Sequence, residues 1–163
     1  MSESGGLYTV SAEFIALLTE RQLKIATAES CTGGLIAAML TEVPGSSVVV
    51  DRGFVTYSNE AKTEMLGVDP GLIARVGAVS AEVAAAMVEG AIARSDADLA
   101  VAVTGIAGPD GGSPEKPVGL VHLAAMRRGG KPVLAERRFG DIGRAKVRLA
   151  TVREALAMLT ALV

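Results

Sequence analysis

The 163-residue chain has one cysteine, Cys31, which excludes a disulfide-stabilised scaffold and favours a reducing compartment. It has no tryptophan, two tyrosines and three phenylalanines, too few rings for a platform that stacks single-stranded nucleic acid. A formal net charge of −2 argues against nucleic-acid binding by bulk charge. No run approaches the ~18 apolar residues of a membrane span, and residues 1–10 show no signal-peptide pattern. We therefore expect a soluble cytoplasmic protein without nucleic-acid or membrane partners.

Histidine and metal-binding patterns are also scarce. The single histidine, His122, lies between Val121 and Leu123 in an alternating pattern that is typical of a packed strand residue. A Ser–His–Asp triad would have to use it, so the sequence disfavours that mechanism. No His/Cys cluster has zinc spacing, and Asp110 with Glu115 is a weak signature for a hard metal. We expect neither a metal nor a cofactor.

The apolar residues that are present, 50% of the chain when alanine is included, are enough for one core. Their spacing alternates between helical and strand periods, which predicts an α/β domain over residues 1–163, with 1–6 flexible. We expect a three-layer sandwich, a mixed β-sheet flanked by helices. Helices are predicted over 7–22, 33–43, 60–66 (capped by Asn59), 80–95 (opened by Ser80) and 144–162, with a short helical turn from Asp69. Strands are predicted over 24–28, 98–104, 118–126 and 132–139, the last two as a hairpin. Residues 48–57, interrupted at Arg52-Gly53, are either one strand with a bulge or two short strands.

The first candidate motif, Glu29-Ser30-Cys31-Thr32-Gly33-Gly34, lies where a predicted strand ends and a helix begins. Ligands of open α/β sheets bind at such strand ends, and backbone N–H groups at a helix start can hold an anion or an oxyanion. Ser30 and Cys31 are both nucleophile candidates, the latter because a helix N-terminus lowers a thiol pKa. A plain helix N-cap explains the same residues without any chemistry.

The second motif, residues 57–62, places Lys62 five positions after Tyr57 at a strand-to-helix transition. A lysine can act as a general base when burial lowers its pKa. The alternative is a solvated helix lysine, for which Glu60 and Glu64 would be surface partners.

The third motif is a glycine-rich loop that follows the strand over 98–104. Its glycines can form a backbone nest for phosphate, and so long a loop in a small domain is usually functional. It is neither a Walker A loop nor a dinucleotide fingerprint. By itself it indicates only a possible anion-binding loop.

Taken together, these segments resemble the CinA C-terminal-domain family over about residues 7–160. The resemblance rests on ESCTGG at 29–34, PGSS at 44–47, RGFVTYSNEAK at 52–62, GAVS at 77–80 and TGIAGPDGGSPEKPVG at 104–119. The family includes the stand-alone bacterial nicotinamide-nucleotide amidase, and this chain resembles that single-domain form. The resemblance implies a self-associated α/β domain that hydrolyses the carboxamide of nicotinamide mononucleotide to nicotinate mononucleotide and ammonia, in pyridine-nucleotide recycling.

Carried over by motif, the resemblance implies that Ser30 and Lys62 are catalytic, with Tyr57 beside them. Ser30 would attack the carboxamide, Lys62 would take its proton, and Tyr57 would relay the proton to the departing ammonia. Backbone N–H groups of residues 31–34 would hold the oxyanion, while two loops and Arg144 would hold the ribose phosphate. Substrate contacts are thus expected from Cys31, Thr32, Gly33, Gly34, Ser46, Ser47, Thr104, Gly105, Gly108, Gly111, Gly112 and Arg144.

Two other functions fit parts of the same sequence. A non-catalytic module that binds a pyridine nucleotide or a related phosphate ligand would use the same glycine loops. It would not need Ser30, Tyr57 and Lys62 together, and this coincidence favours the enzyme. A purely structural or competence-related partner protein leaves all three polar motifs unexplained.

Overall fold

Six α-helices and five β-strands make up residues 3–163, the part of the chain that the computed structural model describes. The helices are α1 (Glu3–Arg21), α2 (Leu35–Thr41), α3 (Asn59–Leu66), α4 (Pro70–Val76), α5 (Ala81–Ala93) and α6 (Arg144–Thr160). The strands are β1 (Ile25–Glu29), β2 (Val50–Val55), β3 (Leu99–Gly105), β4 (Leu120–Arg127) and β5 (Val133–Arg138), and a short 3-10 helix spans Ser46–Val48.

The strands form one mixed sheet in the order β2-β1-β3-β4-β5. β1 runs parallel to β2 and β3, whereas β4 pairs antiparallel with both β3 and β5. Helices cover both faces, so the predicted sandwich around a mixed sheet is confirmed. The predicted hairpin before the last helix is also confirmed, as β4 and β5.

Each face of the sheet has its own core because strand side chains alternate between faces. Residues such as Val101 and Leu123 pack on α1, α2 and α6, while the opposite face is built largely from alanines and packs on α3, α4 and α5. Small side chains let α5 approach closely. At Gly90 the approach is closest, since a Cβ there would lie 2.1 Å from the carbonyl oxygen of Leu66 in α3.

Several element boundaries differ from the sequence prediction. α1 begins at Glu3, before the predicted start at Leu7, while Met1 and Ser2 lie outside the described residues. The flexibility expected of residues 1–6 stays a prediction. The interruption expected at Arg52 falls one residue earlier, because the pairing of β1 with β2 skips Asp51.

The caps of the helices on the alanine-rich face follow ordinary side-chain chemistry. Ser80 caps α5 as predicted, and Asp69 caps α4, a full helix where only a short turn was expected. Ser58, not Asn59, is the N-cap of α3, because the Ser58 hydroxyl accepts the Ala61 N–H at 3.0 Å. Serine and asparagine cap helices about equally well, so the sequence alone does not choose between adjacent ones.

The helices owe their place to one buried face each. α1, the longest at 19 residues, buries Leu7, Phe14 and Leu18 against the sheet. Within residues 3–163 no helix has both the length and the continuous apolar character that membrane crossing requires.

Candidate active site

Ser30 follows the last residue of β1, where the chain leaves the sheet. Its N–H donates to the Val103 carbonyl of β3 at 3.1 Å, and the residue is 9% exposed. The chain passes from β1 to β2 through α2 on one face, and from β2 to β3 through α3, α4 and α5 on the other. This reversal between β1 and β3 is where open α/β sheets form their ligand cleft.

Lys62 reaches Ser30 from the second turn of α3. The residue is 1% exposed, and its Nζ donates to the Ser30 Oγ at 3.1 Å. The same ammonium donates to the carbonyl of Thr56 at 3.0 Å and lies 3.5 Å from the carbonyls of Tyr57 and Ser58. The structure therefore brings the two predicted catalytic side chains, from motifs about thirty residues apart, into direct contact.

The burial of Lys62 makes its charged form less favourable than in water. No carboxylate among the described residues forms an ion pair with it. Burial removes the hydration of the ammonium and lowers the pKa of Lys62 from its ordinary value of 10.5, an effect that electrostatic interaction with Cys31 and then with Glu60 partly opposes. A buried amine with a lowered pKa, hydrogen-bonded to a serine hydroxyl, can act as a general base toward that hydroxyl.

Cys31 is the less suitable nucleophile. Burial raises the pKa of its thiol to about 12, and the negative charge of Glu29 acts in the same direction. The expectation that a helix N-terminus lowers the pKa of the Cys31 thiol is therefore wrong, because desolvation raises this pKa by more. At neutral pH the thiol is protonated, and no side-chain base is hydrogen-bonded to it among the described residues.

Tyr57 and Arg144 meet at the mouth of the site. The Tyr57 hydroxyl accepts from Nη2 of Arg144 at 2.8 Å, and Nη1 of the same guanidinium donates to the Gly108 carbonyl at 2.9 Å. Arg144 is the first residue of α6, so one helix end joins the loop after β2 to the glycine-rich loop after β3. Tyr57 is 61% exposed, which leaves most of its ring open to solvent.

A cavity of about 220 Å³ opens beside Ser30. It contains both catalytic candidates together with Tyr57, and of the predicted substrate contacts it contains Cys31, Thr104, Gly105 and Arg144. Its lining residues are Ser30, Cys31, Tyr57, Asn59, Lys62, Ala78, Val79, Thr104, Gly105, Ala107 and Arg144. Thr104 also fastens the cavity wall, because its hydroxyl donates to the Ala78 carbonyl at 2.8 Å.

Some predicted contacts do not line this cavity. Thr32, Gly33 and Gly34 form the turn behind Ser30, and the Thr32 side chain is fully buried. Gly108 contributes its carbonyl to Arg144, as described above. The exposed Gly111 and Gly112 lie farther along the loop and outside the lining.

The turn that contains Ser46 and Ser47 lies at the other end of the sheet. It precedes β2, whose first residue pairs with Ile25 at the start of β1, whereas Ser30 follows the end of β1. Five strand residues at ~3.3 Å each separate the two levels by about 16 Å. The structure thus corrects the expectation that this turn holds the phosphate of a ligand bound at Ser30 of the same chain.

Four lining residues were not predicted: Asn59, Ala78, Val79 and Ala107. All four fall inside segments that carried the family resemblance, so the signal was present without an assigned role. Glu29 was also overlooked as a contributor. It is 0% exposed, and its carboxylate accepts from the Thr32 hydroxyl and from two backbone N–H groups of α2.

The described residues contain no group of three or more His, Cys, Asp or Glu side chains placed to hold a metal ion. His122 lies in β4 opposite Thr104 and is 9% exposed. Burial lowers its pKa, and it does not line the cavity. It is a packed strand residue, as the sequence pattern indicated.

The model of the CinA C-terminal domain matches residues 7–163 of this chain. The chain belongs to the CinA C-terminal domain family. It is 62% identical to a CinA-like protein of Akkermansia muciniphila over 114 residues, 70% of this chain and 28% of that protein. It is 51% identical to a CinA-like protein of Geobacter sulfurreducens over 148 residues, 91% of this chain and 35% of that protein. The chain thus spans about a third of the length of these curated relatives.

Solved structures of this family share the whole fold. The competence/damage inducible protein CihA of Agrobacterium tumefaciens superposes with a TM-score of 0.95 at 56% identity, covering 99% of this chain and 96% of that one. A CinA superfamily protein of Escherichia coli superposes with a TM-score of 0.91 at 36% identity, covering 100% and 94%. These names refer to competence and damage, and none of them states a reaction.

Proposed function

We propose that this CinA-family domain is an amidohydrolase that converts nicotinamide mononucleotide to nicotinate mononucleotide and ammonia, a step of pyridine-nucleotide recycling. The observation that carries the proposal is the 3.1 Å contact between the Ser30 hydroxyl and the buried amine of Lys62. A protein that only binds a nucleotide has no need for a lysine stripped of hydration beside a serine. The choice of substrate rests on the family resemblance, and the reaction type rests on the contact between Ser30 and Lys62.

The proposed reaction has two halves that use the same pair of side chains. Ser30 Oγ attacks the carboxamide carbon while its proton passes to the neutral Lys62 amine. The tetrahedral intermediate then expels ammonia, which takes that proton from Lys62, and an acyl-serine ester remains. A water molecule attacks the ester, Lys62 accepts one proton of the water, and Ser30 Oγ leaves with that proton. The carboxylic acid that forms loses its remaining proton to solvent and becomes the carboxylate product.

The oxyanion of each intermediate requires N–H donors that are already oriented. The backbone of the turn over residues 31–34 is the proposed source. The N–H groups of Thr32 and Gly34 have no hydrogen-bond acceptor within the described residues. Those of Ile36 and Ala37, farther into α2, bond to the Glu29 carboxylate and are not available.

The dimensions of the cavity suggest how a mononucleotide would lie. Its volume of about 220 Å³ is below the ~300 Å³ at which small-molecule pockets typically begin. We therefore place the carboxamide and pyridinium inside, and the ribose phosphate at the mouth near Arg144. The exposed ring of Tyr57 offers a face on which a cationic pyridinium can stack.

Lys62 alone can return the proton to ammonia in this scheme. The relay through Tyr57 stays a prediction, since the Tyr57 hydroxyl is engaged by Arg144.

Ammonia release from nicotinamide mononucleotide by the purified chain tests the proposal. Ser30→Ala should abolish turnover, whereas the control Ser47→Ala, an exposed serine at the opposite end of the sheet, should leave it intact. Binding of intact nucleotide without turnover in the wild-type chain would support the non-catalytic binding module instead. Neither turnover nor binding would mean that the substrate is wrong.

A further inference from the structure

Thr32, two residues beyond Ser30, lies between two side chains of opposite charge. Its hydroxyl donates to Oε1 of Glu29 at 2.6 Å, and its carbonyl accepts from Nη2 of Arg148 at 2.7 Å. Thr32 and Glu29 are both 0% exposed. We call these three residues the Thr32 clamp.

Glu29 ties the clamp to the sheet and to α2. Its backbone carbonyl accepts from the N–H of Thr56, beyond the end of β2, at 2.9 Å. Its carboxylate also accepts from the N–H groups of Ile36 at 2.7 Å and Ala37 at 3.0 Å. The backbone on both sides of Ser30 is therefore bonded to fixed elements, β1 before it and α2 after it.

Arg148 ties the clamp to α6. It lies one turn after Arg144 on the same helix face, so α6 reaches the turn behind Ser30 and the mouth of the cavity at once. The Nε of Arg148 is buried and has no partner within the described residues. Within the described residues, the bond to the Thr32 carbonyl is thus the hydrogen bond that holds this guanidinium.

Among the described residues, the side chain of Ser30 has no hydrogen-bond partner other than Lys62. The reactive geometry of a nucleophile and base tolerates little error, since a displacement of ~1 Å can cost ~100-fold in rate. We propose that Glu29 and Arg148 are positioning residues that act through Thr32 to hold Ser30 against Lys62. This inference rests on the proposed serine chemistry but not on the choice of substrate, and neither residue touches the reacting atoms.

Two variants remove the clamp with little change in shape. Thr32→Val deletes the hydroxyl that Glu29 holds, and Arg148→Met deletes the guanidinium that holds the carbonyl. Thr41→Val is the matched control at the other end of α2, where the Thr41 hydroxyl bonds only to the Ala37 and Ala38 carbonyls of its own helix. Arg148→Lys tests rescue, because it restores one cationic donor.

The readout is the rate at which Ser30 is labelled by a fluorophosphonate, followed by intact mass. In that reaction the serine oxygen bonds to phosphorus, fluoride leaves and the serine proton passes to the base. Thr32→Val and Arg148→Met should each slow labelling ~10- to 100-fold, and Arg148→Lys should recover part of the loss. Thr41→Val should stay within about twofold of wild type, and all variants should keep a cooperative thermal transition.

The pH dependence of labelling separates positioning from a change at Lys62. If the clamp sets geometry alone, the plateau rate falls while the midpoint of the acid limb stays in place. A shifted midpoint would assign the loss to Lys62 and overturn the positioning role. The positioning role would also be overturned if both clamp variants were labelled at rates within about twofold of wild type. The same would hold if their loss in labelling rate were no larger than the fraction of each variant that is unfolded.

Turnover of nicotinamide mononucleotide is measured on the same proteins. If wild type is labelled but does not release ammonia, the substrate proposal fails and the labelling rates still decide on the clamp. If wild type shows neither reaction, Ser30 is not a positioned nucleophile and both proposals are overturned. In the expected case, kcat for the nucleotide falls with the labelling rate while KM changes less than about threefold.

Discussion

Lys62→Met is the most informative single change at this site, because methionine keeps an unbranched apolar side chain as far as Cε and removes the amine. A positioned general base contributes ~10²- to 10⁴-fold to a rate. The variant should therefore lose at least ~100-fold in kcat for ammonia release from nicotinamide mononucleotide. Activity within about tenfold of wild type, in a folded variant, would remove Lys62 from the mechanism.

The pH dependence of wild-type activity provides the second part of this test. Burial lowers the pKa of Lys62, and only its neutral form can accept the Ser30 proton. Below the lowered pKa, kcat/KM should fall about tenfold for each pH unit. A profile that stays flat on the acid side, while the protein remains folded, would contradict the assignment.

The same substitution also changes the free energy of unfolding, by an amount that depends on pH. Below its folded pKa, the buried ammonium carries its full desolvation cost, and between that pKa and 10.5 the unfolded chain binds more protons than the folded one. The contribution of Lys62 to the free energy of unfolding therefore rises with pH across this window. Methionine removes the cost but leaves the Thr56 carbonyl without its donor, a loss of ~1–3 kcal/mol.

The stability of Lys62→Met relative to wild type should therefore be greatest below the lowered pKa of Lys62 and decline as pH rises from there toward 10.5. Urea denaturation of both proteins across this range measures the difference. A difference that does not change with pH would show that the amine is not depressed in pKa, whatever the activity of the variant.

Three further predictions concern other parts of the molecule. Cys31→Ala should retain ammonia release within about threefold, because a thiol with a pKa of about 12 is not ionised at neutral pH. Arg144→Met should raise KM for the mononucleotide ~10-fold with kcat little changed, as expected when a contact to a non-reacting phosphate is lost; the nucleoside without phosphate should be unaffected. Gly90→Ala should lower the free energy of unfolding, measured by urea denaturation, by at least ~1–3 kcal/mol. The reason is that the new Cβ would lie 2.1 Å from the carbonyl oxygen of Leu66. Helix propensity alone predicts the opposite, a gain of ~1 kcal/mol.

The secondary structure was largely predictable from sequence because periodicity and caps act locally. The sequence located all five strands and five of the six helices, with errors at the ends such as the start of α1 at Glu3, and it predicted only a short turn where α4 forms. Strand order was not predictable, since pairing of β1 with β3 joins segments some seventy residues apart. The alanines near Ala102 give no hint by themselves that one face of the sheet accepts a close-packed helix.

In the candidate site, too, local features were predictable from sequence and long-range packing was not. Residues at the carboxyl end of a parallel strand, such as Ser30 just after β1 and Thr104 near the end of β3, were predicted at the correct edge because carboxyl ends of parallel strands share an edge. Ser46 and Ser47 were assigned to the site although they precede a strand, and the parallel order of β1 and β2 puts them at the opposite edge. The burial of Lys62 was not predictable, because it depends on how α3 packs.

The separation of Glu29 from Lys62 is consistent with the proposed role of Lys62 as a base. Glu29 is only one residue from Ser30, and an ion pair between Glu29 and Lys62 would raise the pKa of the lysine and abolish its function as a base. The sheet prevents that pairing, because Glu29 points to the face covered by α2 whereas Lys62 approaches from α3 on the other face. Three hydrogen bonds from Thr32 and α2 satisfy the carboxylate where it lies. Ser30, at the strand end between the two faces, is then the polar side chain left to meet the amine.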